Sequence, residues 1–108
     1  MRKIYIYVIT THLNNKKYVG ASCRPDERFK SHIHCLRRGK HPNNLLQTDF
    51  DLYGEVFSHE VVCEKTQYRS ESEEYKWMIQ LKTYDERYGY NFKDWSMRAI
   101  RREKGLFP

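Results

Sequence analysis

The chain has 108 residues, one domain of ordinary size, and 39% of them are hydrophobic, which is enough for a single core. Three cysteines without a CxxC pair argue against a disulfide scaffold and favour a reducing, cytoplasmic setting. No stretch is long and apolar enough to span a membrane, and the first residues lack a signal-peptide pattern, so we expect no membrane partner.

The net charge of +6 is unevenly distributed along the chain. Residues 1–41 carry ten Lys and Arg against two Asp and Glu, residues 42–92 five against ten, and residues 93–108 five against two. Basic segments around an acidic middle indicate a polyanionic partner, and the acidic middle offers carboxylates for a cation. Ordinary solvated charge would give the same distribution, so charge alone does not decide.

The first half of the chain predicts a hairpin followed by a helix. Residues 3–9 and 16–20 are rich in β-branched and aromatic residues, and Asn14-Asn15 between them is typical of a turn. Pro25 opens a helix with an apolar stripe, and Gly39 follows its end. The stripe consists of Phe29, Ile33 and Leu36.

The second half predicts two helices around a strand. Residues 43–52 indicate a short helix closed by Gly54, residues 56–63 a third strand, and residues 70–82 an amphipathic helix with a capping Ser/Glu start. A loop over residues 84–92 and a short basic helix over residues 94–104 follow.

The element order β-β-α-α-β-α predicts an α+β fold, a small three-stranded antiparallel sheet flanked by helices. We expect one folded domain over residues 1–92 and a basic C-terminal tail over residues 93–108.

One carboxylate lies on an apolar helical stripe. Glu74, Trp77, Met78 and Leu81 share a face at i, i+3, i+4 and i+7 spacing. Burying an unpaired carboxylate is costly, so Glu74 needs a cation, a metal or a hydrogen-bond network. The pattern also fits a carboxylate at the wet end of the stripe, and Glu71 lies near the same face.

Arg28 and His32 are four residues apart and flank the stripe of the first long helix. Arg can hold a phosphate through two bonds, and His can position or protonate an oxygen near neutral pH. A solvated basic pair has the same spacing. On the hairpin, Tyr18 and Gly20 share a strand face, and Gly20 can mark a close approach of another group.

Two other kinds of site find no support in the sequence. His32, His34 and Cys35 lack a second pair at zinc-ligand spacing. The chain also has no Gly-rich phosphate loop, nucleophile elbow or obvious Ser/His/Asp arrangement.

These residues match a known pattern in order and spacing, and the chain resembles the GIY-YIG nuclease family over roughly residues 4–92. The motifs appear as Tyr5-Ile6-Tyr7, with Tyr5 where the family usually has Gly, and as Tyr18-Val19-Gly20. The Arg-x-x-x-His arrangement matches Arg28 and His32. His41 and the segment LLQTDFDLYGEVFSHEVV are similar to the homing-endonuclease branch.

The resemblance implies hydrolysis of DNA phosphodiester bonds with one divalent cation, Mg²⁺ or Mn²⁺, held by Glu74. It implies that Tyr7 activates the attacking water and that Tyr18 orients it. A free Tyr has a pKa of about 10, so Arg28, the metal, Lys16 or Lys17 would have to lower it. The implied catalytic residues are Tyr7, Tyr18, Arg28, His32, Glu74 and Asn91, the last as the family's late Asn that ties the site together.

We expect the basic residues to contact DNA phosphates without reading sequence. These are Lys16, Lys17, Arg37, Arg38, Lys40, His41, Arg98, Arg101 and Arg102. A non-catalytic nucleic-acid-binding module with the same fold is the alternative, and a protein-interaction domain would not need the segregated charge. A homing, restriction, phage DNA-degrading or excised catalytic role, the target, and monomer against dimer all stay open.

Overall fold

The computed structural model describes residues 3–66 and 70–91, with backbone alone at residues 66 and 70–72. The elements are β1 (Lys3–Thr11), β2 (Lys17–Ser22), α1 (Pro25–Arg37), α2 (Asn44–Tyr53), β3 (Phe57–Thr66) and α3 (Ser70–Leu81). The predicted order β-β-α-α-β-α and the α+β class are confirmed, and most bounds move by one to three residues. The predicted helix over residues 94–104 lies outside the described residues.

The sheet is antiparallel with the order β2-β1-β3, so β1 is the central strand. In the hairpin, Tyr7 pairs with Gly20 and Ile9 with Tyr18. The pairing of β1 with β3 shifts register between Ile6 and Tyr7, which marks a bulge beside the first tyrosine motif.

Alternate residues of β1 serve two separate cores. Ile6 and Val8 join Met78 of α3 in one cluster. On the other face, Leu36 of α1 and Leu46 of α2 form the second cluster with Tyr90. Because strand side chains alternate between faces, the sheet lies between α3 on one side and α1 with α2 on the other. No helix of the described residues is long and apolar enough to cross a membrane.

The helix ends follow local chemistry. α1 begins with Pro in its first turn and has Asp26 and Glu27 there, which suits the helix dipole. The Asn43 side chain caps α2 by accepting a hydrogen bond from Leu46 N at 3.1 Å. Gly54 closes α2 with a φ of 77°, a left-handed conformation in which Gly is favoured.

The segment after α3 forms the predicted loop, and residues 83–85 and 89–91 of it are buried. The Tyr90 hydroxyl donates to Asp49 Oδ2 at 2.6 Å, and Asn14 donates to the same oxygen at 2.9 Å. Thr11 Oγ1 lies 2.5 Å from the Tyr90 hydroxyl. These bonds satisfy a buried carboxylate and tie α2, the hairpin and the final segment together.

Candidate active site

Tyr7 of β1 lies at the centre of the predicted catalytic residues. Its ring crosses Gly20 of β2, where an added Cβ atom would be 2.4 Å from the ζ carbon and hydroxyl oxygen of Tyr7. The close approach that Gly20 suggested in the sequence is therefore with Tyr7. The Tyr7 side chain is only 1% exposed, so its neighbours determine what its hydroxyl can do.

α1 brings Arg28 and His32 to the same hydroxyl. His32 Nε2 lies 2.8 Å from Tyr7 Oη, and the Arg28 side chain also forms a hydrogen bond with Tyr7. The two residues meet at one point, as their spacing indicates. They differ in burial: His32 is 4% exposed and belongs to the core side of α1, whereas Arg28 is exposed. The reading of both as a solvated basic pair is therefore wrong.

His41, in the connection between α1 and α2, extends this cluster. Its Nε2 lies 2.7 Å from His32 Nδ1, and the two rings stack with centroids 5.0 Å apart. The main-chain N–H of Asn43 donates to His41 Nδ1 at 3.0 Å. His41 is thus buried next to His32 with both ring nitrogens engaged, and its contact with a DNA phosphate stays a prediction.

Burial controls the ionisation of these groups. Burial lowers the pKa of His32 from 6.5 to about 4, with help from His41 and the positive charge of Arg28. Burial and Arg28 likewise lower the pKa of His41. Both imidazoles are therefore neutral near neutral pH.

The pKa of the Tyr7 phenol is raised, mainly because burial disfavours the phenolate. Arg28 opposes this through its hydrogen bond and charge, and the negative charge of Glu74 adds to the increase. The lowering expected from Arg28 is present but is outweighed by burial. Glu74 is half-buried on α3, one turn before Met78 in the core, and its negative charge acts on Tyr7.

Asn91 ties the end of the described chain to β2. Its Oδ1 accepts from Val19 N at 2.9 Å, and its Nδ2 donates to Val19 O at 3.1 Å. The amide is fully buried and pairs with the backbone next to Tyr18. Its role is to hold the strand that carries the second tyrosine motif, in agreement with the predicted role of tying the site together.

A cavity of about 350 Å³ opens beside the cluster, and Tyr18, Arg28, His32 and Asn91 line it. The Tyr18 ring meets His32 edge-on with centroids 5.5 Å apart. Six residues that were not predicted as site residues also line this cavity: Ser31, Cys35, Pro42, Asn43, Asn44 and Tyr90. The Pro-Asn pair after His41 is the sequence signal for Asn43, because Asn is typical of a helix N-cap.

The sequence matches the GIY-YIG catalytic domain family over residues 3–91. The chain belongs to the GIY-YIG family. The expected resemblance to this nuclease family is thereby confirmed. Intron-associated endonuclease 1 of Enterobacteria phage T4 is 39% identical over 59 residues, which cover 55% of this chain. The chain spans only 24% of the length of that relative.

Two solved structures share the GIY-YIG fold with this chain. A single-residue mutant of the catalytic domain of intron endonuclease I-TevI is 32% identical, with a TM-score of 0.76, and the match covers 85% of this chain and 95% of that one. The structure of the catalytic domain of homing endonuclease I-TevI is 30% identical, with a TM-score of 0.74, and the match covers 81% and 95%. The predicted fold is thus the fold of a GIY-YIG catalytic domain.

Several basic residues predicted to bind DNA lie away from this GIY-YIG site. Lys17 Nζ donates to Thr10 Oγ1 at 3.2 Å, on the sheet face opposite Tyr7, so it cannot act on the Tyr7 hydroxyl as expected. Arg37 forms a two-bond ion pair with Glu55, with Nη2 to Oε2 at 2.8 Å, which occupies the guanidinium that was predicted to bind phosphate.

The remaining residues that were predicted to contact DNA differ in their burial. Lys16 is half-buried at the start of β2, while Arg38 and Lys40 are exposed after α1. Arg98, Arg101 and Arg102 lie outside the described residues. Within residues 3–66 and 70–91, no group of three or more His, Cys, Asp or Glu side chains is arranged to hold a metal.

Proposed function

We propose that this GIY-YIG domain is a metal-dependent endonuclease that hydrolyses DNA phosphodiester bonds. The observation that carries the proposal is the meeting of Arg28 and His32 on the Tyr7 hydroxyl, with the charge of Glu74 acting on it. Arg28 offers a cation for phosphate and Glu74 a carboxylate for a metal, both of which stabilise the transition state of phosphodiester hydrolysis, and Tyr7 offers a phenol for the water.

Arg28 is the residue suited to the scissile phosphate. Its side chain is exposed and lines the cavity, while its hydrogen bond to Tyr7 keeps the guanidinium beside the reacting groups. A planar guanidinium offers two parallel N–H donors to a phosphate and stabilises negative charge that develops in the transition state.

Tyr7 in its phenolate form is the proposed proton acceptor for the attacking water, after its own proton has left to solvent on substrate binding, with Tyr18 orienting that water. The hydrogen bond and the charge of Arg28 favour the charged form of the phenol, whereas burial and the charge of Glu74 oppose it. Substrate bound in the cavity that Tyr18 lines would meet Arg28, which lines the same cavity and bonds to this hydroxyl.

A single Mg²⁺ or Mn²⁺ fits the donor set on α3. Glu74 offers a half-buried carboxylate with negative charge at the site. Mg²⁺ is commonly held by one or two carboxylates together with waters and substrate phosphates, so a full protein cage is not needed. When bound, the cation would polarise the phosphoryl oxygens and stabilise the leaving oxygen.

The similarity to intron and homing endonucleases favours DNA as the substrate and a homing-type or phage-type role. The exposed Arg38 and Lys40 could contact phosphates near the cavity. We propose a cytoplasmic setting, a catalytic domain over residues 1–92 and a basic tail over residues 93–108. A non-catalytic nucleic-acid-binding module is the alternative function.

A plasmid-cleavage assay with Mg²⁺, repeated with a chelator, tests the proposal. We expect Glu74→Gln, Arg28→Ala and Tyr7→Phe each to reduce the cleavage rate by about 10²- to 10³-fold or more. Glu73→Gln is the matched control, because Glu73 is the next carboxylate on α3 and pairs with Lys65 and Lys76.

The control separates catalysis from folding. Glu73→Gln should retain the wild-type rate, and all four variants should keep the wild-type circular dichroism spectrum. Cleavage that resists the chelator would overturn metal dependence, and full activity of Glu74→Gln would remove Glu74 from the site. DNA binding without any cleavage by the wild-type protein would favour the binding-module alternative.

A further inference from the structure

A chain of three hydrogen bonds ends on the Tyr7 hydroxyl and begins at a main-chain N–H group. Asn43 N donates to His41 Nδ1 at 3.0 Å, His41 Nε2 lies 2.7 Å from His32 Nδ1, and His32 Nε2 lies 2.8 Å from Tyr7 Oη. A backbone amide can only donate. The first bond therefore sets the direction of the other two.

The proton positions follow one by one. A neutral imidazole has one N–H donor and one acceptor nitrogen. Because His41 Nδ1 accepts from Asn43, His41 carries its proton on Nε2 and donates to His32 Nδ1. His32 then carries its proton on Nε2, which points at Tyr7. Both imidazoles are buried and neutral, so this assignment leaves no ring nitrogen of either residue without its bond.

We propose that His41 is a positioning residue, which holds His32 in the Nε2–H tautomer so that His32 donates to Tyr7 and does not accept its proton. This inference rests on the proposed function, because it explains how the Tyr7 oxygen is prepared for negative charge. Together with Arg28, His32 gives that oxygen two donors. Donors to the charged form favour the phenolate, while His32 itself takes no proton from Tyr7.

The Nδ1–H tautomer of His32 shows how His41 controls the position of the His32 proton. A proton on His32 Nδ1 would face the proton on His41 Nε2 at a nitrogen–nitrogen distance of 2.7 Å, which is a repulsive contact. A side chain at position 41 that only accepts would remove this repulsion and select the Nδ1–H form. His32 Nε2 would then be an acceptor for the Tyr7 proton, and the phenol would lose a donor.

Two near-isosteric variants separate these states. His41→Gln keeps an amide donor for His32 Nδ1 and an oxygen for the Asn43 N–H. His41→Glu offers only acceptors. His59→Gln is the control, because His59 lies in β3 and stacks on Phe29 of α1, with centroids 4.0 Å apart, outside the hydrogen-bond chain.

The readout is ¹⁵N NMR of histidine-labelled protein near neutral pH, which distinguishes protonated from unprotonated ring nitrogens directly. We expect wild-type His32 and His41→Gln to show a protonated Nε2 and an unprotonated Nδ1 at His32. His41→Glu should show a protonated Nδ1. In the plasmid assay, His41→Gln should stay within about tenfold of wild type, and His41→Glu should lose about a hundredfold, the effect of one donor to developing charge.

A wild-type His32 protonated on Nδ1, or on both nitrogens, overturns the inference, even if cleavage is normal and the proposed function stands. Equal rates for His41→Gln and His41→Glu also overturn it. The expected tautomer without any cleavage refutes the proposed function and, with it, the catalytic purpose of His41. If His41→Glu fails to fold, the wild-type and His41→Gln spectra still decide the tautomer.

Discussion

The contact between Gly20 and Tyr7 supports a quantitative prediction for Gly20→Ala. The new Cβ atom would be 2.4 Å from two atoms of the Tyr7 side chain. Since carbon contacts are favourable at about 3.5 Å or more, the ring must move by about 1 Å. Tyr7 is buried, so the movement stretches its 2.8 Å bond to His32 towards the limit of a hydrogen bond.

The expected result is a loss of both stability and catalysis, each of which can be measured separately. Overpacking of this kind lowers the free energy of unfolding by about 1–3 kcal/mol. A misplacement of about 1 Å in a catalytic group reduces the rate by about 10²-fold. Urea denaturation measures the first quantity, and the plasmid assay, at a temperature where the protein is fully folded, measures the second.

Gly39→Ala is the control for this prediction. Gly39 has a φ of 68° and no neighbouring atom within 4 Å of an added Cβ. The substitution therefore costs about 1 kcal/mol of backbone strain without touching the site. If Gly20→Ala cleaved DNA at the same rate as Gly39→Ala, the position of the Tyr7 ring would not depend on the absence of a side chain at residue 20, and the prediction would be refuted.

Two further predictions concern stability. His32 has a pKa of about 4 in the folded protein and about 6.5 in the unfolded chain, so the unfolded state binds more protons between these two pH values. The free energy of unfolding should therefore be highest above pH 6.5 and fall by about 3 kcal/mol as the pH drops to 4. Urea titrations of the wild type and of His32→Gln measure this fall, and equal pH slopes in the two proteins would contradict the prediction. In Gly89→Ala, the added Cβ would be 2.4 Å from Thr83 Cα and 2.6 Å from Lys17 O. We therefore expect the free energy of unfolding to fall by about 1–3 kcal/mol, which thermal denaturation measures. An unchanged melting temperature would show that the backbone moves to accommodate the new methyl group.

The local sequence pattern was sufficient to predict the order of the helices and strands and the meeting of site residues that lie on the same helix. The i, i+4 spacing of Arg28 and His32 predicts that they meet, because helix geometry is local. The stripe of α3 predicts that Met78 is buried, and Met78 is fully buried in the core.

Features that depend on distant partners could not be predicted. The loop after α3 is buried because Asn91 bonds to Val19, 72 residues earlier, and Tyr90 bonds to Asp49. Arg37 is engaged because the connection between α2 and β3 brings Glu55 to it. The sheet face on which Lys17 lies follows from strand register. No local pattern specifies such pairings.

The pairing of residues 88–91 with β2 has a consequence for self-association. β2 is an edge strand, and an open edge invites pairing with another chain. Here Tyr88 O and Tyr90 N bond to Lys17, and the Asn91 amide bonds to both backbone groups of Val19. The segment acts as a short substitute strand, so two copies cannot extend their sheets through this part of β2. A variant that lifts the segment, such as Gly89→Ala, would uncover a template for aggregation next to the second tyrosine motif.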